Sequence, residues 1–428
     1  MFFKIFFFSS ILSTLFFISC STTQLPPHEQ TSVSRDFFGI VHAGNPGTDE
    51  EYRLLNEMGA VWLLQTFYWS AIEREQGNFN FTWYDNFVNT AKLNNKKVIA
   101  VLAYDVEWFK KKGENHRYVS NKNISHFLNY VESTVNHFTG RVDAWQIWNE
   151  PNWIFWNGSD NEFFELSKRA AKKIREIDPD AYIIGGGFLR SPANFIKNFH
   201  KSGAAEHLDA LSFHPYGINP ANAMQVYDQF LKIIKEINFT GDIWITEIGY
   251  PTGGWYPIKV SLENFPSYVI KSIAGAAARG SKTLLWYHLF DHHLNGKAPD
   301  NFNSEMFFGL IYRDYSRKNG SYAYELCARY LPGARYMPNL PLKSNVPNNI
   351  VSFCFMQGAA EKNTLILWND MIGKQQIRVT LSVPITLHDI STGKSAELTD
   401  GSTLDITASP VFITWEGDTL PQIFGGKR

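Results

Sequence analysis

The stretch AWQIWNEPNW, residues 144–153, decides how this chain is read. An apolar run of strand length stops at Asn149-Glu150-Pro151, inside a patch rich in tryptophan. A buried strand gains nothing from a carboxylate at its tip, because an unpaired charge is costly to desolvate. Glu150 therefore points to chemistry at a strand end.

Working outward from it, short β-rich runs alternate with amphipathic helical stretches from about residue 37. The runs are FFGIVHA (37–43), AVWLLQTF (60–67), KVIAVLAY (97–104), VDAWQIWN (142–149), AYIIGGG (181–187), LDALSFHPY (208–216), DIWITEIGY (242–250) and KTLLWYHLF (282–290). Near-continuous apolar runs suit strands covered on both faces. Eight β-α units over about 295 residues have the count and length of a (β/α)8 TIM barrel, predicted over residues 36–331; a doubly wound open sheet is the structural alternative. The Pro-rich segment 332–349 reads as a linker. Short alternating strands with Gly, Asn and Asp turns then predict a small antiparallel β-sandwich over 350–417, small enough that it should pack against the barrel.

Lys and Arg total 40 against 41 Asp and Glu, which gives no electrostatic footprint for nucleic acid. The 13 Trp and 19 Tyr exceed ordinary core needs and lean towards carbohydrate, since flat amphipathic rings stack on sugars. The first segment, MFFKIFFFSSILSTLFFISC (1–20), has a Lys near its start, then an apolar stretch, then small residues, and leads into a polar tether over 21–35. It resembles a bacterial lipoprotein signal with Cys20 as the lipidated residue, although Phe17 replaces the usual Leu; an ordinary cleaved signal peptide is the alternative. The expectation is an extracytoplasmic monomer anchored to a membrane by lipid, on its periplasmic or surface face, or else a secreted protein. Cys327 and Cys354 lie in different predicted elements and are expected as two buried thiols, with a disulfide as the alternative. Five Asn-x-Ser/Thr sequons (Asn80, Asn123, Asn157, Asn238 and Asn319) would matter only on a eukaryotic secretory route.

In a barrel of this kind the chemistry sits where strands end. Carboxylates at those ends are Asp105, Glu150, Glu247 and Asp291. Glu150 and Glu247 each follow a Trp-bearing apolar run, on strands that face each other across the barrel mouth. Two carboxyl groups flanking one bond are what glycoside hydrolysis requires, with one protonated and one ionised.

The pieces WNEPN, SFHPYG, WITEIGYP and LLWYHLFD resemble the retaining glycoside hydrolases of clan A, the (β/α)8 superfamily that includes families 5 and 39. FYWSAIEREQGNFNFTWYD, with Trp69 and Gly77, is similar to the second-strand signature, and FFGLIYRDYSRKNGSYAYE (307–325) to the segment leading into the last helix. The resemblance implies Glu150 as acid/base and Glu247 as nucleophile. It implies Asn149 on the sugar 2-hydroxyl, Tyr216 donating to the nucleophile, His214 on substrate or acid/base, and Trp286 as the floor of the sugar subsite, with Trp69 also at the substrate. Each has a bland alternative: Asn149 as a helix cap, His214 as a satisfied core histidine, Trp286 as barrel filling. Clan A enzymes usually carry an Arg on strand 2; here Leu64 or Gln65 stands there, so either another residue supplies the cation, with Arg190 after strand 5 as the candidate, or the nucleophile is weakened.

The crowded YHLFDHH (287–293) groups His288, Asp291, His292 and His293, which favours a substrate-contact loop over a metal site. Trp108, Trp153, Trp156, Trp255 and Tyr256 are candidate sugar platforms or loop-packing residues. The function expected is hydrolysis of β-linked glycosides or polysaccharides by double displacement, with no cofactor and no metal. The alternatives are transglycosylation through the same intermediate, or a degenerate sugar-binding lipoprotein.

Overall fold

The computed structural model describes residues 31–41, 47–110, 117–255, 258–298, 303–338, 349–357, 362–370, 375–380, 384–399, 402–417 and 422–425. The stretch read as a signal, with Cys20, the stretch read as a tether up to residue 30, residues 339–348 of the stretch read as a linker, and Tyr256 lie outside the described residues. Eight parallel strands close into a barrel in sequence order: β1 (Phe38–Val41), β2 (Trp62–Tyr68), β3 (Lys97–Ala103), β4 (Ala144–Ile147), β5 (Ile183–Leu189), β6 (Ala210–His214), β7 (Asp242–Ile248) and β8 (Thr283–Trp286). A long helix follows each strand, from Asp49–Glu57 after β1 to Asn319–Tyr330 after β8. Helix starts are written locally: Ser159 and Glu162 form a reciprocal capping box ahead of Asp160–Ile177, and Asn219 caps Pro220–Glu236 with Pro220 in its first turn.

Strand parity sorts the side chains. The Trp62 and Trp244 rings meet at 5.1 Å although β2 and β7 are not neighbours, so both fill the barrel interior. The Phe67 ring meets Tyr84 and Phe138 of the surrounding helices, and Phe213 stacks on Phe230 of Pro220–Glu236, so the alternate positions face outward.

Two irregularities interrupt this parity, both at the mouth. One residue more on β5 than on β6 between Gly186 and Phe188 makes a bulge. One residue more on β7 than on β8 between Ile245 and Ile248 makes a second. A bulge re-aims the side chain it carries. Thr246 already faces the interior, and the β7 bulge lets its neighbour Glu247 face it too.

Beyond the barrel lie β9 (Arg335–Tyr336), β10 (Ile350–Met356), β11 (Lys362–Asn369), β12 (Gln375–Thr380), β13 (Ile385–His388), β14 (Ser395–Leu398), β15 (Thr403–Ile406), β16 (Val411–Glu416) and β17 (Gln422–Gly425). They form a six-stranded antiparallel sheet, β14-β13-β16-β11-β10-β9, and a three-stranded sheet, β15-β12-β17. β9 falls inside the stretch read as linker, and β17 lies past residue 417; each is too short or too terminal to show a period.

The central strands of the larger sheet, β10, β11 and β16, are buried on both faces. Phe353, Phe355, Ile366, Trp368 and Phe412 join the barrel's core, while Cys354, Leu365, Leu367, Ile413 and Trp415 join a second core inside the sandwich. Lys271 of the barrel lies 5.1 Å from the Trp368 ring, and Ser267 bonds Ser409 at 3.2 Å. Cys327 and Cys354 are both buried and unbridged, as expected. No helix among the described residues is long and apolar enough to cross a membrane.

Trp368→Ala should lower stability by about 3–5 kcal/mol, as deletion of a large buried ring does. Leu93→Ala, at a position 83% exposed, should stay within about 0.5 kcal/mol. Thermal denaturation of the two variants checks this; equal midpoints would contradict a shared barrel–sandwich core.

Candidate active site

Glu150 leaves β4 through an uncommon backbone. Trp148 has φ 63° and Glu150 φ 44°, the left-handed region that non-glycine residues enter at a cost of about 1–3 kcal/mol each. Hydrogen bonds hold this turn. Trp148 N donates to Leu102 O at 3.1 Å, and Glu150 N donates to Gly187 O at 2.9 Å. Asn152 and Leu189 exchange two bonds at 3.0 and 2.9 Å. Gly187 itself has φ +57°, and a Cβ there would lie 3.0 Å from Gln146 Nε2, so the β5 bulge needs glycine at that point.

The turned-in carboxyl meets β6 and β7. His214 Nδ1 lies 2.8 Å from Glu150 Oε1 and 3.6 Å from Glu247 Oε2. His214 Nε2 lies 3.1 Å from Thr246 Oγ1. Tyr216 OH donates to Glu247 Oε2 at 3.1 Å. One oxygen of each glutamate and one His214 nitrogen lie mutually within 4.8 Å. Sequence reasoning placed Glu150, Glu247, His214 and Tyr216 at one site, and the fold brings all four together.

These three residues also make up the one group of potential metal ligands found among the described residues. Donors around a tetrahedral ion with bonds of about 2.0–2.1 Å sit about 3.3 Å apart. The 2.8 Å contact between Glu150 and His214 is instead a hydrogen-bond length.

Burial sets the proton affinities. Desolvation pushes Glu150 up to about 8, with the charge of Glu305 adding to the rise and Arg117 opposing it. Desolvation likewise raises Glu247, to about 7; His214 and the Tyr216 hydrogen bond pull it down, while Glu150 and Glu305 push it up. Burial lowers His214, so its ring is held neutral. One tautomer serves both states of Glu150. With Nδ1–H donating to Oε1, the acid proton sits on Oε2, and Nε2 accepts from Thr246.

Asn149 caps no helix: the next helix starts at Asp160 with Ser159 as its cap. Asn149 is half-buried and hydrogen-bonds the phenol of Tyr104, whose ionisation burial suppresses. Tyr104 stacks on Phe155 at 5.6 Å, and the Arg117 guanidinium lies 4.1 Å from the Phe155 ring. Together with Tyr68, which is 43% exposed, they form an aromatic wall of the mouth.

Several expected residues sit elsewhere. Trp286 is fully buried and faces outward, with its ring 6.0 Å from Phe265 of the helix Phe265–Ala278 and 6.1 Å from Tyr250. It cannot floor a sugar subsite. Parity gives that orientation to the next residue, Tyr287, whose ring meets Tyr216 at 6.5 Å and Phe308 at 5.3 Å. Trp69 is also fully buried: it stacks on Tyr130 at 5.5 Å and donates to Glu73 at 2.6 Å, so it braces a loop instead of meeting substrate. Trp156 is a packing residue against Trp148. Trp108, half-buried, donates to Glu73 O at 3.0 Å, while Trp153 and Trp255 are half-buried on their loops.

Arg190 does not substitute for the strand-2 cation. Its Nη1 donates to Tyr216 O at 3.1 Å, and the groups acting most on Glu247 are His214, Glu150, Tyr216 and Glu305. Gln65 is buried, its amide donating to Thr66 O at 3.0 Å.

The remaining strand-end carboxylates hold loops. Asp105 pairs with Lys110. Asp291 is fully buried against Lys318, with Nζ 3.0 Å from each carboxylate oxygen. Lys318 also donates to Thr252 Oγ1 and Phe307 O, and Asp291 accepts from Gly309 N at 2.7 Å. This cross-link fixes the loop between β8 and the last barrel helix. His293 lies 3.2 Å from Asp291, while His288 is held neutral by burial, at about 3. Among the described residues the histidines of this loop do not converge on a metal site.

The sequence profile of glycosyl hydrolase family 10 matches residues 34–174. Endo-1,4-beta-xylanase A of Phanerodontia chrysosporium is 25% identical over 205 residues, covering 42% of this chain and 48% of that enzyme. Endo-1,4-beta-xylanase B of Thermotoga neapolitana is 26% identical over 211 residues, covering 44% and 57%. The chain thus spans about half the length of these relatives. Among solved structures, a family 39 glycoside hydrolase from Bacteroides cellulosilyticus WH2 superposes with a TM-score of 0.74 at 21% identity, over 90% of this chain and 81% of that one. A monomeric beta-xylosidase from Caulobacter crescentus gives 0.64 at 14%, over 91% and 98%. The chain shares the (β/α)8 barrel fold of these enzymes. The family 10 match includes Glu150 and ends before Glu247.

Asp291→Ala should cost about 3–5 kcal/mol, because it leaves the Lys318 ammonium buried without its partner. An Asp291→Leu/Lys318→Met double variant should recover much of that loss. Chemical denaturation of the three proteins would contradict the cross-link if the single variant were as stable as the parent.

Proposed function

We propose that this protein is a retaining glycoside hydrolase acting on β-linked, xylose-containing glycans, with Glu150 as acid/base and Glu247 as nucleophile. The observation that carries this reading is one His214 nitrogen lying 2.8 Å from Glu150 and 3.6 Å from Glu247. One oxygen of each glutamate lies within 4.8 Å of the other, in keeping with the roughly 5–5.5 Å separation of retaining carboxyls and short of the about 6.5–9.5 Å at which an inverting pair holds its water. The xylanases and the xylosidase among the similar proteins favour the sugar class.

In the first step Glu247 attacks the anomeric carbon as Glu150 transfers its proton to the departing glycosidic oxygen. The carbon–oxygen bond to the leaving group breaks and a glycosyl ester forms on Glu247. Glu150, now a carboxylate, then takes a proton from water as the water oxygen attacks the same carbon and releases Glu247. Tyr216, donating to Glu247 at 3.1 Å, stabilises the charge that the nucleophile carries before attack and after release. Asn149, fixed by Tyr104, is placed for the sugar 2-hydroxyl. The proposal extends to localisation: Cys20 carries a lipid, and the enzyme is held outside the cytoplasm.

Glu247 must be ionised and Glu150 protonated. Activity should therefore rise as pH passes about 7 and fall as it passes about 8. Xylan, xylo-oligosaccharides and aryl β-xylosides, assayed with the parent, Glu150→Ala and Glu247→Ala, test the assignment. Each variant should lose at least about 10³-fold in kcat, from loss of its acid/base or nucleophilic role. Saturable binding of a glycan with no turnover by the parent would instead favour a sugar-binding protein. Metabolic labelling with radioactive palmitate should mark the parent and leave Cys20→Ala unlabelled; an unlabelled parent, or equal labelling of both, would count against the anchor.

A further inference from the structure

Glu305 lies 14 residues past Asp291, on a 3₁₀ turn, Ser304–Phe307, in the loop after β8. No strand end or sequence motif marks it. Its position is nonetheless built. Glu305 N donates to Asn303 Oδ1 at 3.1 Å, and its backbone hydrogen-bonds His288. Its Oε2 accepts from Tyr287 OH at 2.9 Å. The loop carrying it is fixed by the Asp291–Lys318 pair, with Lys318 bonding Phe307 O two residues on.

The chain of contacts leads into the site: Glu305 to Tyr287, the Tyr287 ring to Tyr216, and Tyr216 OH to Glu247. The charge of Glu305 bears on Glu150, Glu247, Tyr216 and Tyr287 alike. A carboxylate has about four acceptor positions. A loop that merely needed its tyrosine oriented could use an amide or a carbonyl for that, without the cost of desolvating an anion.

We propose that Glu305 is a specificity-determining residue of this site, accepting hydrogen bonds from the hydroxyls of the bound sugar and disfavouring a sugar that carries a carboxylate there. This rests on the glycosidase reading above and deepens it. A neutral polyol offers donors to the acceptor oxygens left over by Tyr287. A uronic acid would bring a second anion beside Glu305, and like charges set together in a binding site act as a repulsive element.

Glu305→Gln separates charge from shape, because its amide oxygen still accepts from Tyr287. With p-nitrophenyl β-xyloside, kcat/KM should fall at least tenfold, mostly through KM. The ratio of rates on p-nitrophenyl β-glucuronide to β-glucoside should rise at least tenfold, and both limbs of the pH profile should move to lower pH. Glu305→Asp keeps the charge but withdraws it: its xyloside KM should rise while the glucuronide remains rejected. This variant also serves if the glutamine form does not fold. Kinetics within twofold of the parent, with the ratio and the profile unchanged, would reduce Glu305 to a prop for Tyr287 and overturn the proposal. If the parent turns over no glycoside, the hydrolase reading fails by itself. Glu305 is then judged by calorimetry with xylobiose: tenfold weaker binding by Glu305→Gln supports its role, and equal or absent binding overturns it.

Discussion

Two carboxyl groups confined around one neutral imidazole are the constraint on which the rest of this structure depends. No arginine reaches the Glu150–Glu247 pair from strand 2, where Gln65 stands. Charge on the pair is therefore governed by burial, by Glu305, which raises both, by Arg117, which lowers Glu150, and by Glu150, His214 and Tyr216 acting on Glu247. Both carboxyls titrate above the ordinary carboxylate range. Their contribution to folding is fully present at acid pH, and it is lost as pH rises through the folded values near 7 and 8. The site costs the fold stability under the conditions in which the proposed chemistry runs.

That cost is met by backbone devices at the barrel mouth. The left-handed turn at Trp148 and Glu150 is held by bonds from two neighbouring strands. The β5 bulge supplies the Gly187 carbonyl that receives Glu150 N, and the β7 bulge lets Thr246 and Glu247, consecutive residues, both face the interior. Thr246 then bonds the far nitrogen of the histidine whose near nitrogen meets both glutamates. Strand, bulge and ring form one continuous support, backed below by the Trp62–Trp244 floor.

Much of this was legible in the sequence. Apolar runs of even length gave eight strands, and a carboxylate after a Trp-bearing run gave Glu150 and Glu247. What failed was the assignment of aromatic rings to faces. Trp286 and Tyr287 are adjacent, and a strand with period two sends one outward and the other inward; the run LLWYHLF is apolar up to Tyr287, and its histidine, itself buried, does not show which. Trp69 looked like a platform because of its type, yet it lies under Trp108 and against Tyr130. Arg190 was in the right region but bonds a carbonyl instead of the nucleophile. Glu305 could not be found by reading strand ends, since a long loop fixed by Asp291 and Lys318 delivers it from far along the chain. Local periodicity records which residues share a strand face; it does not record where a loop returns.

The measurement that tests the central claim most directly is mass spectrometry of the protein after incubation with 2-deoxy-2-fluoro-β-xylosyl fluoride, followed by peptide mapping. The account predicts a single fluoroxylosyl adduct, located on Glu247. An adduct on another residue would contradict it. So would an unlabelled protein that hydrolyses the parent xyloside with inversion at the anomeric carbon.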